Sequence, residues 1–157
     1  MNISVDRVES PPPHLLRARD IRRVFELVPR DWVRNVKGVH VSNCIETHMS
    51  RAFLHLSSGD LTIHCRKGTL EDALRALLSE LAAGSLGIKS RLGRRRSKAD
   101  SARIAPMIQP FVDSLLAEFA PVRKHFVSTP NPGFHEVRLN NGNAERAQNL
   151  PDKAKTH

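Results

Sequence analysis

Three sets of side chains in this sequence have the types and spacing to do chemistry. The first centres on Glu80, inside ALLSELAAG (residues 76–84), where a carboxylate sits in the most leucine-rich part of the chain. Held on a helix, such a group can take a proton or hold a cation. The second set is the soft and borderline ligands: Cys44 and His48 four apart, His55, and His64 beside Cys65. Neighbours on a strand point to opposite faces, so His64 and Cys65 do not readily share one ion. A thiol on an apolar face behaves as a small hydrophobe. The expectation is therefore histidines at a sheet surface, no metal site and no cofactor. The third set is basic: Lys89, Arg91, Arg94, Arg95, Arg96 and Lys98 lie within ten residues, with Arg103 just beyond and no acid among the loop residues. Guanidinium forks match phosphate oxygens. If the six loop cations all met phosphates, the log–log salt slope of binding would be about −5. Neither a G-x-S-x-G elbow nor a G-x-x-x-x-G-K loop occurs, so nucleophilic and nucleotide chemistry find no support.

These residues need elements to position them. Residues 1–16 are polar, end near three consecutive prolines, and read as a disordered arm. From Arg19, the residues Ile21, Val24, Phe25 and Val28 share one helical face until Pro29 ends the helix. PRDWVRN adds a short helical turn that tucks Trp32 under the sheet, and VKGVHVSN alternates as a half-buried strand does. SRAFLHL and LTIHCRK form a hairpin around a turn at 57–60. That turn pairs Leu56 with Leu61, Leu54 with Ile63 and Ala52 with Cys65, and leaves Phe53, His55, Thr62 and His64 on the other face.

Thr69 and Asp72 form a capping-box-like start to the central helix, whose stripe is Leu70, Ala73, Leu74, Leu77, Leu78 and Leu81. Gly84 and Gly87 supply its stop. Ser97 with Asp100 opens the last helix, carrying Ile104, Ile108, Phe111, Leu115 and Phe119, with a kink or restart expected at Pro106. Beyond Pro121 the chain reads as a mostly disordered tail, FHEVRL being its one strand-like run. The fold expected is α+β over residues 17–120: an N-terminal helix, a small three-stranded and mostly antiparallel sheet with a hairpin, then two helices, between loose ends at 1–16 and 121–157.

That element order, with the LLSEL spelling and the position of Glu80, resembles the minimal zincin core of gluzincin-like metallopeptidases over about residues 19–120. The resemblance implies a scaffold in which two histidines four apart bind zinc and a glutamate takes a proton from the bound water. Here Ser79 and Ala83 stand at the histidine positions and Glu80 at the general base. Asp113 or Glu118 would be the third-ligand candidates. A serine hydroxyl is a poor zinc ligand and an alanine methyl is none, so no tetrahedral site can be built. The resemblance therefore implies a pseudoenzyme scaffold without peptidase activity.

Composition adds the partner class. A net charge of +9 raises the expectation of nucleic acid or another polyanion as partner. No apolar run spans a membrane, and the two cysteines fit a reducing, cytoplasmic setting. The sequence reads as a non-catalytic, zincin-like basic domain that binds DNA or RNA through the 89–98 loop and Arg103. Two alternatives differ in class: a protein-interaction module using a metal-free cleft or the tails, and a metal-dependent hydrolase with atypical ligands.

Overall fold

The computed structural model describes residues 1–45, 51–89 and 96–127, with the side chains of 122–127 left aside. Its elements run β1 (Asn2–Val5), α1 (Ala18–Leu27), α2 (Arg30–Val33), β2 (Gly38–Ser42), β3 (Ala52–His55), β4 (Asp60–His64), α3 (Leu70–Ser85) and α4 (Lys98–Val127). The chain divides into a unit of residues 1–120 and a second of 121–157. In the second, the helix backbone continues to Val127, and the FHEVRL expectation lies outside the described residues.

The sheet corrects the expected one. It has four strands in the order β1-β2-β4-β3, with β1–β2 and β2–β4 parallel and only β3–β4 antiparallel. Two physical reasons account for this. Residues 1–16, expected as a disordered arm, begin with NISV, whose alternation places Ile3 opposite Val39 and lets the chain cross back through α1 and α2 as a βαβ unit. The stretch between β2 and β3 is long enough to carry β3 to the outer edge, so β4 fills the place beside β2 that the next strand in sequence would have taken.

The hairpin register is shifted by two residues from the expected one. Ala52 faces Ile63, Leu54 faces Leu61, and His55 faces Asp60 across a loop at 56–59. A shift of two leaves every side chain on its original face, so the apolar pattern cannot distinguish the two registers. Turn geometry does. Gly59 has φ +80°, donates its N–H to the His55 carbonyl at 2.7 Å, and accepts from the Lys37 N–H at 2.8 Å. A Cβ at Gly59 would stand 2.5 Å from the Asn35 carbonyl oxygen. Gly59→Ala therefore meets both a left-handed backbone, costing about 1–2 kcal/mol, and a contact that only backbone movement relieves. A loss above about 2 kcal/mol in urea unfolding is expected.

Val39, Val41, Leu54, Leu61 and Ile63 share one core with Ile21, Val24, Trp32, Leu74, Leu77, Leu81, Ile108 and Leu115. The opposite face of the sheet presents Ser4, His40, His55 and Asp60 to solvent. Trp32 is buried and meets Phe111 of α4 edge-on, with ring centroids 5.3 Å apart. No restart occurs at Pro106, because α4 runs as one helix through both prolines. Each proline leaves the carbonyl four residues back without its helical donor, and Ala102, Pro106 and Pro110 are all exposed, so water can serve those carbonyls.

Candidate functional site

The central helix forms for the reasons its sequence suggests. Thr69 Oγ1 accepts from the Asp72 N–H at 3.1 Å, and Asp72 Oδ2 accepts from the Thr69 N–H at 3.1 Å. The Thr69 N–H first, and then its side chain, hold the Asp72 carboxyl below the usual carboxylate range. At the other end Gly87, at φ +69°, allows a Schellman closure: Ile88 N–H reaches the Ala83 carbonyl and Gly87 N–H reaches that of Gly84. The leucine stripe presses this helix onto β3 and α2.

Glu80 lies at the margin of that stripe and is only 8 % exposed. One oxygen, Oε2, accepts the Leu54 N–H at 3.2 Å. That donor is available because β3 is the sheet edge. The ladder bonds of the hairpin run through the pairs Phe53–Thr62 and His55–Asp60, so the Leu54 amide points away from β4. The other oxygen, Oε1, receives Nη2 of Arg96, whose side chain is 18 % exposed. A single carboxylate thus joins α3, the outer edge of β3 and the residues that lead into α4.

The other two positions compared with metal ligands are turned to different surroundings. Ser79 is half-buried and Ala83 is packed in the core. Both third-ligand candidates are engaged elsewhere. Asp113 accepts from Gln109 Nε2 at 2.7 Å, and Glu118 accepts from Arg23 Nε at 2.9 and 3.1 Å. Among the described residues no group of three His, Cys, Asp or Glu side chains is placed to hold a metal ion. Cys65 is buried with its Sγ 3.9 Å from the Leu16 carbonyl, Cys44 is half-buried, and His48 lies outside the described residues.

The basic residues divide into three fates. Lys89, Lys98 and Arg103 are exposed and make no ion pair among the described residues. Arg91, Arg94 and Arg95 lie outside the described residues. Arg96, expected as a surface cation, is instead the partner of Glu80; the charge pattern alone cannot show this, since the pair is sixteen residues apart in sequence. Arg23 is held by Glu118, about 30 Å along α4 from Lys98.

A second polar assembly, which sequence reasoning missed, lies at the carboxyl ends of the parallel strands. Arg66 is 9 % exposed and faces carbonyls: Nε reaches Pro12 O at 2.9 Å, Nη1 reaches Asn43 O at 2.7 Å, and Nη2 reaches Ser10 O at 2.6 Å. The signal was the proline run itself, which offers carbonyls and no N–H groups, and so suits a side chain with five donors. Beside it Asp6 accepts from His40 Nε2 at 2.8 Å and from the Asn43 N–H at 3.1 Å, while His14 Nε2 donates to the Asp6 carbonyl at 2.8 Å.

The His40 bond first, then that of Asn43, holds the Asp6 carboxyl below its ordinary range. A carboxyl with a depressed folded value stabilises the fold above its unfolded pKa and loses that contribution as pH falls through the folded one. The β1 end should therefore loosen below about pH 4. Amide exchange at Val5 and Asp6 checks this, and Asp6→Asn should remove the pH dependence.

The geometry defines a two-layer α+β domain with helices on one face of a mixed sheet and a buried carboxylate–guanidinium pair at the sheet edge. Comparison with family models, curated proteins and solved structures gives no match.

Proposed function

We propose that this chain is a non-catalytic, zincin-like α+β domain that binds a polyanion, DNA or RNA, through Lys89, Arg91, Arg94, Arg95, Lys98 and Arg103. The observation that carries the reading is the exposure of Lys89, Lys98 and Arg103 on both sides of the loop, without carboxylate partners among the described residues. From residue 84 to 99 the sequence contains no acid, so the charges of the run itself are all of one sign. Against zinc-peptidase chemistry at this helix stand Ala83 in the core and the engagement of Asp113 and Glu118 by neighbouring side chains. No helix among the described residues is long and apolar enough to cross a membrane.

Fluorescence anisotropy with labelled single-stranded and duplex oligonucleotides, at two salt concentrations, tests the reading. Six phosphate contacts on duplex DNA give a log–log slope of about −5. Replacing Arg94 and Arg95 together by alanine should reduce that slope by about 2 and weaken all sequences alike. Binding that is absent, or indifferent to salt, overturns the reading.

A further inference from the structure

Arg96 lies at the end of the basic loop, adjoining the Ser97 cap and Lys98, yet its guanidinium is turned inward to Glu80. A carboxylate and a phosphate offer the same guanidinium fork a pair of anionic oxygens. Glu80 is kept in place independently of Arg96, because its second oxygen holds the Leu54 N–H of the edge strand. The arginine is also not sealed in: its side chain is 18 % exposed, whereas Glu80 is fixed on α3 among buried neighbours.

We infer that Glu80 is an internal competitor for the polyanion, holding Arg96 where a phosphate oxygen would otherwise hold it. The inference rests on the polyanion reading above and adds a regulatory contact to it. In the resting domain Arg96 is a latent cation, and the active basic surface consists of its neighbours. A polyanion recruits Arg96 only by separating it from Glu80, which leaves a largely buried carboxylate without its guanidinium. That cost holds affinity below what the full set of cations would give.

Glu80→Gln preserves the side-chain shape and an acceptor for Leu54 but removes the charge that holds Arg96. With a fluorescein-labelled DNA duplex, the E80Q protein should bind about eightfold more tightly at about 0.1 M salt, with a log–log slope steeper by about 0.9, the value of one further phosphate contact. The double variant E80Q/R96A should return both quantities to those of the unaltered protein, since the gain belongs to Arg96. Thermal melting confirms that each variant is folded. Should E80Q fail to fold, Glu80→Met, of similar length and uncharged, makes the same comparison. Salt-dependent binding by the unaltered protein with no gain in E80Q overturns the inference alone, as does a gain that survives in the double variant. Absence of binding by every folded protein overturns the polyanion reading and the inference with it.

Discussion

Replacing Arg96 by alanine is expected to lower the unfolding free energy by about 3 kcal/mol, toward the low end of the range for breaking a buried ion pair. The reasoning turns on what stays behind. Glu80 is 8 % exposed, and α3 cannot rotate it into water without lifting its leucines from β3. A backbone N–H such as that of Leu54 does not replace the solvation that an ionised carboxylate has lost. Arg96 is less deeply placed than Glu80, which is why the upper end of the range is not expected. The exposed pairs offer a comparison. Arg75→Ala loses the pair with Glu71 and a bond to Gln109, and Arg23→Ala loses the pair with Glu118, yet each should cost only about 1 kcal/mol, because water takes over both freed carboxylates. Urea unfolding of the three alanine variants, with E80Q/R96A as a fourth, checks the ordering. The double variant should recover most of the loss, since it no longer strands a charge. Equal losses for Arg96→Ala and Arg23→Ala would show that the Glu80 pair is not energetically buried.

The second large effect belongs to Arg66. Arg66→Ala removes every donor from the Ser10, Pro12 and Asn43 carbonyls at once. Hydrogen bonds from a charged donor contribute about 1.5–3 kcal/mol each, but three that share one guanidinium do not add, so a total of about 3 kcal/mol is expected. The loss should be local before it is global. The carbonyls at Ser10 and Pro12 belong to the segment that connects β1 to α1, so β1 should fray first. Exchange at Val5 and Asp6, whose N–H bonds the Val41 carbonyl at 2.9 Å, would then accelerate ahead of exchange in β4. Arg66→Lys keeps the charge, but a single ammonium cannot reach three carbonyls in different directions, so it should recover less than half of the lost stability. Uniform exchange across the sheet would mean that Arg66 serves the whole core and not the N-terminal segment.

Much of the domain is legible in its residues. The two amphipathic faces at Ile21–Val28 and Leu70–Leu81, the Thr69–Asp72 and Ser97–Asp100 caps, and the Gly87 stop are local features, and each appears where its spacing puts it. So is the division of hairpin side chains between faces, because alternation is a property of the strand itself. What escapes is anything that depends on a partner distant along the chain. Whether β2 lies beside β3 or β4 depends on where a nine-residue connection leads, and the two registers of the hairpin bury the same side chains. The Glu80–Arg96 pair, the Arg66 cluster on three carbonyls and the recruitment of residues 2–5 as a strand all join segments that no periodicity relates.

For the candidate surface the division is the same. The residues alone determine that a run of arginines without acids follows the central helix. Only the tertiary structure decides which of those cations remain outside. Burial of α3 against the edge strand brings a carboxylate to the start of α4, and a carboxylate in that position must take a cation from the nearest chain.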